Sequence, residues 1–326
     1  MSDICFSPAY ARVFEETDGP SETFEFKNGF GEIRHTFLLR EIPIRIDGRT
    51  LYDISTPYGY GGPIILNSTD KDKLMQSFSA AFKDYCRQRG IVSEFVRFHL
   101  TDNTDVRARY YGTTRFVKDN IIIPTDRPYD TLWMEYEHKV RKNVKKAHEY
   151  GLDIIIEQNM DHVEDFMRIY YDTMNRNEAR EYYYFPRNFF EKIASYIPYN
   201  YLFFHVLKDG EIISTELVLI SEQYVYSFLG GTDASFYHMR PNDFLKDEVI
   251  KLCVDSGKRG FVLGGGYHDN DGIYRYKRSF TNADPVPFYV GTMIFDQDAY
   301  VKLAEERIKQ LGGMPDDPNF FPLYRA

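Results

Sequence analysis

What is scarce in this sequence narrows its class first. Only three cysteines occur in 326 residues, Cys5, Cys86 and Cys253. An odd number so widely spaced makes neither a disulfide framework nor a cysteine metal site, so three inert buried thiols are expected. No run of about 18 apolar residues is present, which excludes an ordinary spanning helix. The segment Met1 to Tyr10 lacks the basic start and apolar middle of a signal peptide, so a cytoplasmic protein is expected, with at most peripheral contact at the inner face of a membrane. Positive charge is also in deficit, 40 Lys and Arg against 49 Asp and Glu, for a formal net charge of -9. A surface that tracks DNA phosphates must be basic; DNA is therefore not an expected partner, and any other polyanion must meet a local patch. The eight histidines show no HxH or HExxH spacing, and Asp269-Asn270-Asp271 lacks the EF-hand pattern, so no metal site is read here.

Aromatic rings are plentiful, 27 Tyr and 26 Phe beside the single Trp133. They serve core and rim packing, or stack on rings and sugars at a surface. The length exceeds what one hydrophobic core usually organises, so two domains are expected, at 1–130 and 131–297, with the tail 298–326 packing on the first.

The pattern along the chain is α/β with mixed sheets. A short helix is expected from Pro8 to Glu16, and strands from Phe24 and at 35–40, 42–46 and 50–54, the last two joined by an Asp47-Gly48 hairpin signal. After TPYGYGGP (56–63), Thr69 or Asp70 caps a helix to Arg89 whose apolar face is Leu74, Phe78, Phe82 and Tyr85 or Cys86; Gly90 ends it and 91–100 is a strand. The second half repeats this order. Strands at 201–207, 212–220 and 224–229 precede Gly230-Gly231, a helix from Asn242 to Gly257, and a last strand after Gly260. Hairpin, strand, glycine pair, helix and returning strand recur at similar spacing, which predicts two copies of one α/β unit.

Between the copies, Pro124 and Pro128 end a strand and a helix is expected from Leu132 to Tyr150, with Tyr136, Val140, Val144 and Ala147 on its apolar stripe. Lys139, Arg141, Lys142, Lys145 and Lys146 flank that stripe, against Glu135, Glu137 and Glu149. This is either a solvated basic face or a contact for phosphates, with Lys139, Lys142 and Lys146 the candidate tRNA or phosphate ligands. Gly151 ends the helix and 154–156 is a buried strand. Helices follow from Asp161 to about Asn177, with Arg176 near the end, and from Pro186 to Ile197. The tail adds a strand at 288–295 and a helix at 297–311.

The most informative stretch is GFVLGGGYHDNDGIYRYKRSF, residues 260–280. Gly264, Gly265 and Gly266 remove every side chain from a strand end, which suits close approach of a ligand. Tyr267, His268 and the acidic loop follow, and Tyr274-Arg275-Tyr276-Lys277-Arg278 gathers cations and phenols as an anion or oxyanion site. The plainer alternative is a solvated turn and a basic edge strand.

VRKNVKKAHEYGL (140–152), TMNR (173–176), the glycine-rich strand end and YRYKRSF (274–280), in this order, resemble the Fem-type peptidyltransferases and related Fem-like acyltransferases of the GNAT superfamily. The resemblance implies tandem GNAT-like domains. It also implies transfer of an aminoacyl or acyl group, from aminoacyl-tRNA or acyl-CoA as co-substrate with no tightly bound cofactor, to an amine of a cell-wall or envelope precursor. The family's lysine falls on Lys277, tied there to placing the donor and stabilising the reacting centre. Gly151 stands where members with a helical arm insert it, so an armless chain is expected. RPNDFL (240–245) replaces the glycine-rich turn with which acetyl-CoA-dependent enzymes hold pyrophosphate, and Pro241 offers no amide there.

Amine attack on an acyl ester needs a proton acceptor and donors aimed at the oxyanion. Lys277 is the expected electrostatic partner, and Asp271, Asp269, His268 or a substrate phosphate the acceptor. Arg176 offers a fork for phosphate or carboxylate, or a helix C-terminal cation. Tyr58, Tyr60, Arg97 and His99 line an acceptor groove if the domains face each other, and otherwise pack between them. Two readings stay beside aminoacyl transfer: an acyl-CoA-dependent acetyltransferase acting on an amino sugar or peptide, and a non-catalytic tandem domain that binds an anionic precursor.

Overall fold

The computed structural model describes residues 3–46, 48–268 and 270–326; Asp47 of the expected hairpin and Asp269 of the acidic loop lie outside them. In chain order the elements begin with α1 Pro8–Arg12, α2 Glu15–Asp18, β1 Ser21–Asn28, β2 Gly31–Glu41, β3 Tyr52–Ser55, β4 Ile64–Ser68, α3 Lys71–Gln88, β5 Ile91–Arg97, α4 Thr104–Ala108 and β6 Thr113–Pro124. They continue with α5 Tyr129–Glu135, α6 His138–Glu149, β7 Asp153–Glu157, α7 Val163–Arg176, α8 Arg187–Tyr196, β8 Tyr201–Lys208, β9 Glu211–Ile220, β10 Tyr224–Thr232, α9 Pro241–Asp255, β11 Gly260–Gly264, α10 Gly272–Arg278, β12 Val286–Ile294 and α11 Gln297–Leu311. No helix among the described residues is long and apolar enough to cross a membrane.

The chain forms two compact units, one of residues 4–117 and 287–326, the other of 118–286 with Asp3. In the first, the strands run β1-β2-β3-β5-β12, with β4 also on β2. Strands β2 and β3 are antiparallel, β3 and β5 parallel across α3, and β5 and β12 antiparallel. The second unit has β7-β8-β9-β10-β11-β6. There β9 and β10 are antiparallel, β10 and β11 parallel across α9, and β11 and β6 antiparallel. Each unit therefore repeats antiparallel hairpin, crossover helix, parallel strand and antiparallel closing strand, as expected of two copies. The parallel pair requires the crossover, because a tight turn can join only antiparallel neighbours.

Helix α3 owes its seat to spacing. Leu74, Phe78, Phe82 and Cys86 recur every fourth residue, all are buried, and the Phe78 and Phe82 rings stack 5.5 Å apart. Asp70 caps the helix by accepting from Lys73 N at 3.1 Å. Its counterpart α9 buries Phe244, Leu245, Val249, Ile250 and Cys253 in a core shared with Val140, Val144 and Ala147 of α6.

Several expectations change. The closing strands were divided by sequence order at 130 and 297, whereas the units part at 117/118 and 286/287. The reason is the ladder, since Ile121 to Pro124 pair with β11 and β12 pairs with β5. The single helix expected over 132–150 is broken. Tyr136 and Glu137 are extended, with ψ of 142 and 147. Glu137 N donates to Ser279 O at 2.9 Å and the Tyr136 hydroxyl to Asp247 at 3.1 Å, while Arg141 donates to the carbonyls of Trp133, Met134 and Tyr136. These tertiary bonds replace what the helix would have given. Residues 42–46 form only an isolated bridge, Ile46 with Arg49, where Pro43 removes a ladder donor. The basic segment 274–278 is helical rather than an edge strand.

The glycine pair of β10 is a packing requirement. A Cβ at Gly231 would stand 2.4 Å from Thr173 Oγ1 and 2.7 Å from Ile169 O, on α7. Gly231→Ala is expected to cost about 1–3 kcal/mol, read as a lowered denaturant midpoint; unchanged stability would mean that α7 does not seat on β10 this closely.

Candidate active site

The register of the parallel pair creates the site. Strands β10 and β11 pair only from Tyr224–Gly260 to Tyr226–Val262. Beyond that point β10 bulges between Ser227 and Leu229 and stays with β9, while β11 stays with β6. Parting strands need not close again, and a cavity of about 560 Å³ opens at their carboxyl ends. Its lining includes Ser227 to Thr232 of β10, Glu216 of β9, Arg240 to Asp243 and Lys246 of α9, and Tyr276 and Lys277 of α10.

Lys277 is the chemically distinctive group. Its Nζ donates to Gly265 O at 2.8 Å, and Lys118 Nζ donates to Gly266 O at 2.6 Å. Burial, then the nearby Lys246 and Lys118 ammoniums, pull the Lys277 pKa down to about 7. Lys246 is itself held by Glu216 Oε1 at 2.5 Å and Ser227 Oγ at 2.9 Å. Three lysines beside two carboxylates, Glu216 and Asp271, leave an excess of positive charge that favours a further anion or a developing oxyanion. Tyr276 accepts from Asn242 Nδ2 at 2.9 Å, and burial keeps its phenol protonated well beyond the ordinary range.

The start of α9 is already occupied by acid. Asp243 in its first turn is buried; burial raises its pKa, while a hydrogen bond from Asn143 and the Arg240 charge oppose the rise. With Pro241 at the first helical position as well, this helix start is a poor seat for pyrophosphate.

Other expected residues are placed differently. Asp271 caps α10, accepting from Tyr267 N at 2.6 Å, His268 N at 3.1 Å and Tyr274 N at 2.7 Å. Those amides draw its pKa to about 2, and it does not line the cavity, so the geometry assigns it to positioning rather than proton transfer. Gly264, Gly265 and Gly266 do not line it either. A Cβ at Gly265 would meet Asn120 Oδ1 at 2.7 Å, and one at Gly266 would meet Asp271 Oδ1 at 2.2 Å. Their missing side chains admit β6 and the cap, and their carbonyls hold the lysines. Tyr267 is exposed, and Tyr274 packs against the core. Arg176 Nη2 donates to Thr173 Oγ1, Thr232 O and Tyr237 OH at 2.9, 2.7 and 3.0 Å. It braces three lining residues without lining the cavity itself.

Tyr58, Tyr60, Arg97 and His99 belong to the other unit. There Arg97 donates to Ser55 Oγ and Thr56 O, the Tyr58 carbonyl accepts from Tyr10, and the Tyr60 ring contacts His99 and Phe288. On α6, His138, Arg141, Lys142, Lys145 and Lys146 with Glu149 line an open groove of about 460 Å³. Lys139 instead pairs with Glu137 at 3.3 Å.

Residues 135–278, which contain the whole cavity lining but not Lys118, Tyr58, Tyr60, Arg97 or His99, match the family model described as an acetyltransferase (GNAT) domain. The crystal structure of FemX superposes with a TM-score of 0.72 at 13% identity, covering 92% of this chain and 94% of that one. The chain has a Fem-like GNAT fold. Another similar structure is L-PGS from Bacillus licheniformis, TM-score 0.54 at 13% identity over 87% of this chain and 91% of that one. A third is a tandem GNAT protein from the clavulanic acid biosynthesis pathway, TM-score 0.52 at 8% identity over 87% of each. No curated protein matches the chain by sequence.

Within this GNAT domain the Glu216–Lys246 pair was not singled out from sequence. Its signal was present, since Ser214-Thr215-Glu216 interrupts an otherwise apolar strand and Lys246 falls among the buried positions of α9. The cap assignment gives a direct expectation. Asp271→Asn, which can still cap, retains transfer activity, whereas Asp271→Ala loses about 1 kcal/mol of stability; a hundredfold activity loss in the Asn variant at unchanged stability would restore Asp271 as a base.

Proposed function

We propose that the protein is an N-acyltransferase that moves an aminoacyl group from a charged tRNA to an amine of a cell-wall or envelope precursor. The observation that carries the reading is the partly buried Lys277 ammonium at the cavity where β10 and β11 part. The amine nitrogen attacks the ester carbonyl, the acyl C–O bond to the tRNA breaks, an amide forms, and the proton ends on the released hydroxyl. Lys277 faces the oxygen that gains charge; a donor so placed is worth roughly 3 kcal/mol of barrier. Because the acceptor amine attacks the ester directly, no hydroxyl or thiol nucleophile of the protein is required.

The donor is inferred from two features. Asp243 and Pro241 make the α9 start unsuited to a pyrophosphate, which disfavours acyl-CoA. The groove on α6 offers Arg141, Lys142, Lys145 and Lys146 to an RNA backbone in a protein of net negative charge. The match of residues 135–278 to an acetyltransferase (GNAT) domain supports group transfer. Placement in the cytoplasm is part of the same proposal.

The test is incubation of the purified protein with mixed charged tRNAs or acyl-CoAs and an amine-bearing envelope-precursor extract, read by mass spectrometry. Aminoacyl mass gains from tRNA, reduced a hundredfold or more in Lys277→Ala, are expected. Because Lys277 is charged only below its pKa, kcat/KM should fall as pH rises through about 7. Product from acyl-CoA alone would favour an acetyltransferase, and precursor binding without product from any donor would favour a non-catalytic module.

A further inference from the structure

A second cluster, independent of the acyl-transfer reading, lies at the other side of the same sheet order. Glu157 ends β7, His162 stands just before α7, and His205 lies in β8. The β7–β8 register sets His205 opposite Ile155 and Glu157 opposite Phe203, so Glu157 and His205 are diagonal neighbours on one face. The loop of 158–161 then brings His162 back over them. Its Nδ1 lies 2.8 Å from Glu157 Oε2, and His205 Nε2 lies 3.4 Å from Glu157 Oε1.

One atom in this cluster lacks what burial demands. His205 is fully buried, and among the described residues its Nε2 has no partner in hydrogen-bond geometry, lying 3.4 Å from Glu157 Oε1. The opposite nitrogen, Nδ1, is held by Thr215 Oγ1 at 2.8 Å, from the position directly across on β9. That contact fixes the ring as an outer partner fixes a ligating imidazole.

We propose that Glu157, His162 and His205 bind a divalent transition metal, zinc being the ion best suited to two imidazoles and one carboxylate. One ligand atom from each of the three residues can be chosen so that all lie within 4.8 Å of one another. Tetrahedral coordination with bonds of about 2.0–2.1 Å places ligands roughly 3.3 Å apart, so small rotations of His162 complete the set. The His162 side chain is 36% exposed, against 0% for His205 and 8% for Glu157. The ion can enter past His162 and keep a water as fourth ligand. It would tie β7, β8 and α7 together, and Thr215, which orients His205, also lines the acyl-transfer cavity. Sequence spacing did not reveal the set because its members come from three elements.

The test uses untagged, chelator-treated full-length protein titrated with zinc in competition with a chromophoric chelator. One zinc per chain is expected, together with a zinc-dependent rise in Tm and a visible ligand-field spectrum with cobalt. His162→Ala and Glu157→Gln should weaken zinc binding at least tenfold while metal-free Tm and circular dichroism stay near those of the parent. His205→Ala, which empties a buried position, is not needed for the decision. Equal zinc affinity in the parent and both variants, or no stoichiometric binding by a folded parent, would overturn the site and leave a buried hydrogen-bonded cluster.

Discussion

The short ladder between β10 and β11 is the constraint from which the rest of the site follows. Parallel strands joined through a buried crossover helix ordinarily continue in register until one ends. Here both continue after Val262 but each follows its outer neighbour, β9 on one side and β6 on the other. The gap exposes backbone and the side chains beneath it to one space. Helix α9 starts at its mouth and α10 crosses it, so groups remote in sequence, Glu216, Lys246 and Lys277, face a single volume.

Holding ammoniums in that volume is unfavourable without compensation. Glu216 and Ser227 satisfy Lys246, while glycine carbonyls satisfy Lys118 and Lys277. Carbonyls offset desolvation less than a carboxylate does, and Lys277 responds with a depressed pKa. An anionic transition state would supply the missing counter-charge, which stabilises the reacting species more than the resting one. The glycines therefore matter as acceptors and through the backbone approach they permit, rather than as a bare floor.

Much of this architecture was legible because it is written in local patterns. Spacing of four along Leu74, Phe78, Phe82 and Cys86 set α3, and order and spacing disclosed the repeated unit. Lys277 could be named from its motif. What escaped depends on distant partners. The break at Tyr136 and Glu137 is made by Asp247 and Ser279. The exchange of closing strands between chain halves is a matter of ladder pairing, which composition does not encode. Asp271 looked like a base because three acceptor-seeking amides around it become visible only when the loop folds.

Lys277 is a partly buried ammonium whose pKa its surroundings pull toward neutrality. NMR titration of selectively labelled lysine side chains, assigned by loss of one signal in Lys277→Arg, measures this directly. A midpoint near 7 for that signal agrees with the account; an ordinary lysine midpoint near 10.4 would contradict it.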